Sequence, residues 1–249
     1  MKLLTLNMNM FNLDADDSFY SYLDMIAPDI AFIQECRYNR INQKWLKGKY
    51  TIQCPEGLKE PINSRWHLTL ALRKTEPLSE KCPEPEECSN PQKYDYRNVF
   101  LKYCEGTQFA GVHLPLPDFD DEQGKKEYSD LLSKLKSSNS AILCGDFNAS
   151  SNNENQKFIE SLCKSEEYID LWREGLNQNQ NKAYYIDFSG EIKQANIEKH
   201  LAIRTFIRNR HLDYVLAKKN FPIKLEKITI DYRTLAFTDH CGIIVDFNV

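Results

Sequence analysis

Ser140-Ala141-Ile142-Leu143-Cys144-Gly145-Asp146-Phe147-Asn148-Ala149 is the stretch on which the fold turns. Ala141, Ile142 and Leu143 form a short apolar run of the kind a buried strand uses. Gly145 then frees the backbone, and an acid and an amide follow two positions apart. In an extended chain such positions point to one side, so Asp146 and Asn148 are expected to face a common pocket. Gly, Asp and Asn also favour turns, and in isolation the stretch reads better as one. The balance shifts because other segments repeat the form, an apolar strand closed by a polar cluster.

Upstream, the run ending at Leu6 closes on Asn7, and Ile30-Ala31-Phe32-Ile33 closes on Gln34-Glu35. A glutamate this close behind four apolar residues has to sit at a sheet rim. Phe109-Ala110-Gly111-Val112 leads to His113, and a further strand is expected over residues 68–72, ending at Arg73. Val99, Leu101 and Tyr103 alternate as a strand. Downstream, Leu212-Asp213-Tyr214-Val215-Leu216 sets one acid inside an apolar strand, which is costly unless the charge is paired or at work. A strand is expected over residues 228–230, and Thr238-Asp239-His240 precedes the apolar run beginning at Ile243.

Helices fall between these strands. Phe19, Tyr22, Leu23 and Ile26 have helical spacing behind the acids Asp14, Asp16 and Asp17, and Pro28 stops that helix. A weak helix is expected over residues 39–46. A stronger one spans 127–136, with Tyr128, Leu131, Leu132 and Leu135 on one face. Phe158, Ile159 and Leu162 suggest another, and 177–181 reads as a solvated loop. The acidic, proline-rich loop 76–87 reads as an insertion or a lid. The basic run 193–210 reads as a solvated face or a phosphate contact. No internal repeat or linker interrupts the chain, so residues 1–249 are expected to form one domain.

Composition narrows the classes. Of 249 residues, 41% are hydrophobic and 12% aromatic, enough for a substantial core. A net charge of -4 is not the global signature of a nonspecific polyanion binder, though a bound divalent cation would reverse the local field. The first residues are too short and too polar for a secretory leader, and no apolar run is long enough to span a bilayer. A reducing, cytoplasmic setting without stable membrane insertion is therefore expected, with the eight cysteines as free thiols. Cys82 and Cys88 have no second matching pair nearby, which weakens a zinc reading.

The strand-end groups are Asn7, Glu35, His113, Asp146, Asn148, Asp213, Asp239 and His240: four carboxylates, two amides and two imidazoles. Such oxygen-rich sets suit Mg²⁺ or Mn²⁺. Histidines with acid neighbours suit phosphoryl chemistry. In their order, Asn7, Gln34-Glu35, His113, Gly145-Asp146-Phe147-Asn148, Leu212-Asp213-Tyr214 and Asp239-His240, the motifs resemble the endonuclease/exonuclease/phosphatase superfamily. The likeness spans nearly the whole chain. It implies a DNase I-like α+β fold, a four-layer α/β/β/α sandwich of two mixed sheets flanked by helices. It also implies roles. Glu35, Asn7 and Asp239 would serve the metal, and Asp146 would align and deprotonate the attacking water. Asn148 would hold a phosphoryl oxygen, Asp213 would orient His240 toward the phosphate, and His113 would balance the growing charge. Met8-Asn9-Met10 departs from the family pattern by lacking a glycine, and Asn9, which would share the face of Asn7, is a lesser candidate. His113 stands where abasic-site endonucleases of the family carry tyrosine, which turns the expectation away from abasic-DNA repair.

Three functions follow for comparison with the structure. The first is a metal-dependent nuclease or phosphodiesterase acting on nucleic acid. The second keeps the chemistry but takes an inositol phosphate, a phospholipid head group or another small phosphate ester. The third is an inactive binding module with the same fold, disfavoured because no motif position is lost.

Overall fold

The apolar runs become strands of two mixed sheets. The computed structural model describes residues 1–9, 16–36, 43–55, 68–75, 97–104, 107–119, 121–150, 153–165, 167–177, 180–196, 204–207 and 210–248. The strands are β1 (Lys2–Asn7), β2 (Ile30–Cys36), β3 (Tyr50–Gln53), β4 (Leu68–Lys74), β5 (Asn98–Cys104), β6 (Thr107–His113) and β7 (Ile142–Asp146). After them come β8 (Tyr168–Asp170), β9 (Ala183–Ile186), β10 (Ile192–Gln194), β11 (Asp213–Lys218), β12 (Lys224–Asp231) and β13 (Gly242–Asn248). One sheet runs β10-β9-β12-β13-β1-β2-β4-β3, the other β5-β6-β7-β11-β8.

Alternation along each strand sorts side chains into three apolar layers. Leu3, Phe32, Phe109, Cys144 and Val215 meet between the sheets. Leu4, Leu6, Ile33 and Leu70 face outward under α1 (Asp16–Ile26), with Phe19 and Leu23 as the helix's buried face. Val112, Leu143 and Leu216 face the other way, under α3 (Glu122–Ser137) and α4 (Glu154–Lys164). The result is the expected helix–sheet–sheet–helix sandwich. Each fully buried Phe or Leu in it contributes on the order of 2 kcal/mol.

Some elements differ from expectation. Helix α3 begins at Glu122, before the apolar periodicity starts, because Asp121 caps it by accepting the Gly124 N–H at 2.6 Å. Strands β3, β8, β9 and β10 and helix α5 (Leu171–Leu176) are too short for their periodicity to be read, while α2 (Gln43–Leu46) falls within the weak helix expected over residues 39–46. The loop 76–87 with Cys82 and Cys88 lies outside the described residues, as do positions 39–42 and much of the run 193–210. Cys36, Cys54, Cys144, Cys163 and Cys241 are free thiols. Burial pushes Cys36 and Cys144 well above the usual thiol range, which leaves them inert.

Candidate active site

Three neighbouring strands of the smaller sheet end at one level. In register, His113 of β6 pairs with Asp146 of β7, and Asp146 pairs with Asp213 of β11. All three side chains therefore share the face that looks across to the larger sheet. Gly145 makes this possible. Its φ is +140°, and a Cβ there would lie 1.9 Å from the Val112 carbonyl oxygen. No other residue fits that position.

From the larger sheet come Asn7 at the end of β1 and Glu35 near the end of β2. Alternation would send Glu35 outward with Ile33. A bulge between Ile33 and Cys36 intervenes, and Glu35 adopts φ +52°. The carboxylate is turned inward as a result, and its Oε1 lies 3.5 Å from His113 Nε2. Asn7 is fully buried, and its Nδ2 donates to Asp146 Oδ2 at 2.9 Å and to Glu35 Oε1 at 3.2 Å, tying the two sheets together. Asn7 Oδ1 accepts the Asn9 N–H at 2.8 Å, so the amide nitrogen, rather than the oxygen expected of a metal ligand, faces the carboxylates.

His240 precedes β13. Its Nδ1 donates to Asp213 Oδ2 at 2.9 Å, and its Nε2 lies 3.8 Å from Asp146 Oδ2 and 3.9 Å from Asp239 Oδ1. Burial alone would neutralise this imidazole, but Asp213, Asp146 and Asp239 outweigh it and raise its pKa to about 10. Asp146 is pushed up to about 7. Burial is the main cause, opposed by His240 and by the Asn148 N–H and reinforced by Asp213 and Glu35. Glu35 is also raised by burial, against the Asn7 hydrogen bond and the charges of His240 and Arg97.

One geometric expectation is corrected. Asp146 and Asn148 do not share a strand face, because β7 stops at Asp146 and Asn148 takes φ +47°. A tight turn joins them instead, with the Asn148 N–H donated to Asp146 Oδ1 at 2.7 Å. Asn148 Nδ2 donates to Leu114 O at 2.8 Å, and its second amide hydrogen remains for another acceptor. Asp213 likewise opens its strand rather than lying inside it.

The sequence pattern gives no sign of three groups. Arg97 Nη1 lies 3.3 Å from His113 Nε2. The Thr205 hydroxyl accepts the N–H groups of Leu212 and Asp213, each at 2.9 Å, and the Thr205 carbonyl accepts the Cys241 N–H at 2.8 Å. Thr205 is thus pinned between both halves of the Asp213–His240 pair. Phe206 packs its ring against His240, with centroids 4.8 Å apart. No residue-type pattern marks Arg97 or Thr205, because the packing of the chain, rather than a motif, brings each to the site.

Glu35, His113 and Asp146 offer ligand atoms within 4.8 Å of one another, as do Asp146, Asp213 and His240. Asp239 Oδ1 is buried and has no hydrogen-bond partner among the described residues. A set rich in carboxylate oxygen with one such oxygen left over fits a hard divalent cation.

A two-sheet sandwich whose strand ends gather acids and two histidines beside them fits a hydrolase of phosphate esters. The Endonuclease/Exonuclease/phosphatase family model matches residues 4–240, and the chain belongs to that family. No curated protein sequence matches it. Among solved structures, it is similar to an AP endonuclease from Archaeoglobus fulgidus, with 16% identity and a TM-score of 0.64. It is also similar to a 3′ phosphatase from Neisseria bound to a product DNA hairpin, with 15% identity and a TM-score of 0.62. A third likeness is to a mannosyl-6-phosphatase from Bacteroides thetaiotaomicron, with 13% identity and a TM-score of 0.60. In each case 100% of both chains is covered, and the likeness is one of fold. Among the described residues no helix is long and apolar enough to cross a membrane.

Proposed function

We propose that this phosphoesterase is a Mg²⁺- or Mn²⁺-dependent nuclease or phosphodiesterase that cleaves nucleic acid by in-line attack of water. The observation that carries the reading is the Asp213–His240–Asp146 line meeting Glu35 and His113 at the seam between the sheets. Glu35 and Asp239 hold the cation, and Asn7 aligns Glu35 and Asp146 beside it. When bound, the cation supplies Lewis-acid polarisation of the phosphoryl oxygen and offsets substrate charge.

Asp146 is the general base. A carboxylate raised to about 7 accepts a proton from water at neutral pH far better than an ordinary aspartate does. His240, raised to about 10, stays protonated and sets a fixed positive charge where negative charge grows on phosphorus. Asp213 locks its ring orientation through Nδ1, which leaves Nε2 turned toward the site. Arg97, whose guanidinium donates to His113 Nε2, places a further positive charge on the opposite side, and Asn148 offers its remaining amide hydrogen to a phosphoryl oxygen.

Nucleic acid is favoured as substrate by the exposed Arg204 and Arg210 flanking Phe206, next to His240. The likeness to a mannosyl-6-phosphatase supports a second reading, a small phosphate monoester. Purified protein incubated with plasmid and single-stranded oligonucleotides in Mg²⁺ or Mn²⁺ tests the first reading. Cleavage that vanishes in Glu35→Gln and His240→Ala supports it. Release of inorganic phosphate from small monoesters, with no oligonucleotide cut, transfers support to the second.

A further inference from the structure

Phe188 stands 74% exposed, and the fold gives no internal reason for it. It occupies the second position of the turn joining β9 to β10, closed by the Gly190 N–H donated to the Asp187 carbonyl at 3.0 Å. The turn is held stiff. Asp187 accepts from Ser189 N–H at 2.9 Å and from Glu191 N–H at 3.0 Å. Lys193 neutralises both of the turn's carboxylates, at 2.6 Å from Asp187 and 3.1 Å from Glu191. A rigid polar turn thus holds an aromatic ring out in water.

The ring is also placed at the site's end of the molecule. β9 runs parallel to β12, and the last residue of β12, Asp231, pairs with Gly242 just beyond His240. The tip therefore lies about two strand spacings, roughly 10 Å, from the strand that begins next to the catalytic histidine. It faces inward. Phe188 packs at 6.0 Å on Tyr232, which itself packs against the layer between the sheets. The Arg204 backbone lies near enough to the Tyr232 hydroxyl to favour its ionised form, two residues before the Phe206 ring that covers His240. An aromatic ledge, Phe188–Tyr232, is thereby joined to the phosphate site by a short segment whose Arg204 and Arg210 side chains are exposed.

We propose that this ledge stacks an unpaired base of a single-stranded nucleic acid whose neighbouring phosphate lies under His240. The inference rests on the nucleic-acid reading of the site and narrows it to a strand with splayed bases. Paired aromatic faces bind bases without regard to sequence, while arginines between ledge and site follow the backbone. A duplex keeps its bases stacked inside and offers the ledge nothing.

The test separates binding from turnover. A single-stranded oligonucleotide carrying one 2-aminopurine is titrated with the protein in EDTA, and quenching of the probe reports stacking. Wild-type protein is expected to bind and quench. Phe188→Ala and Phe188→Leu are expected to bind roughly five-fold to a hundredfold more weakly and to lose the quench, and Phe188→Tyr to restore both. The exposure of Phe188 makes all three safe for folding. Absence of binding, equal binding by all variants, or an equal loss on duplex overturns the ledge. So does an effect of Phe188→Ala confined to the KM for small sugar phosphates. Cleavage of the same oligonucleotide in Mg²⁺ or Mn²⁺ is read separately. Quenching without cleavage removes the nuclease reading and leaves the ledge standing. Cleavage with unaltered quenching in Phe188→Ala does the reverse.

Discussion

Gly145→Ala should damage stability and catalysis together, for a reason that can be worked from the backbone. At φ +140° an L-residue is strained, at a cost of about 1–3 kcal/mol. The new methyl would also sit 1.9 Å from the Val112 oxygen and 2.9 Å from its carbonyl carbon. These are backbone atoms and cannot rotate away. Relief requires β6 and β7 to part, and overpacking of this kind costs about 1–3 kcal/mol more. The sum is about 4 kcal/mol, which for a chain of this size lowers Tm by roughly 8–16 °C. Because Val112–Gly145 and His113–Asp146 are consecutive pairs in the ladder, the separation also pulls the imidazole from the carboxylate. A kcat loss of about a hundredfold or more is expected at temperatures where the variant is still folded. Gly48→Ala is the control, since Gly48 has φ +83° but a methyl added there would meet no atom within 4 Å, so only the strain remains. Guanidinium unfolding and phosphodiester turnover measure both. If Gly145→Ala is no less stable than Gly48→Ala and cleaves substrate at the wild-type rate, the account of this strand pair is wrong.

Thr205→Val keeps the shape but strands the N–H groups of Leu212 and Asp213, so a loss of roughly 2–4 kcal/mol in urea unfolding is expected, with Thr205→Ser close to wild type. Asp213→Asn removes the charge that holds His240 protonated. The imidazole pKa, followed by NMR, should fall, and kcat should drop by roughly 10²–10⁴-fold. Calorimetric titration with Mn²⁺ should show a binding heat that Glu35→Gln and Asp239→Asn weaken severely; an unchanged heat would place the cation elsewhere. Stability in EDTA should fall as pH rises. Asp146, at about 7, and His240, at about 10, both lie above their unfolded values, so the folded state binds extra protons. The Asp146 contribution is lost as pH rises from about 4 through 7, and that of His240 between about 6.5 and 10. A Tm in EDTA that climbs from pH 5 to pH 9 would contradict this.

The central strands were legible because they are continuous apolar runs with polar ends, a pattern forced on any strand buried on both faces, whereas their stacking into a four-layer sandwich came from the family resemblance. The edge elements were not, because a strand such as Ile192–Gln194 carries too few residues for alternation to register. That Asp213 needs a partner was legible for a physical reason, since an acid at an apolar strand demands one, while His240 as that partner came from the family resemblance. For Asn148 the expected neighbourhood held while its reason failed. Strand alternation was invoked, and a turn with positive φ produces the proximity. Arg97 and Thr205 left no trace in the pattern, because their roles depend on which strands become neighbours.

Glu35 shows most clearly where sequence reasoning stops. Its position at a strand end could be read, yet regular alternation would have aimed it at the outer helical layer. Only the bulge and the left-handed backbone bring it to His113 and Asn7. Non-glycine residues adopt such φ values at a cost, and the cost persists only where the surroundings hold the residue in place. Here the surroundings are the opposite sheet, through Asn7 bonded to both Glu35 and Asp146. Neither sheet therefore completes the site alone, and closing the sandwich and assembling the site are one event. That event also crowds Glu35, Asp146 and Asp213 into a buried space with one firmly charged imidazole. More negative charge is gathered than the histidines balance, and a divalent cation is the chemistry that relieves it.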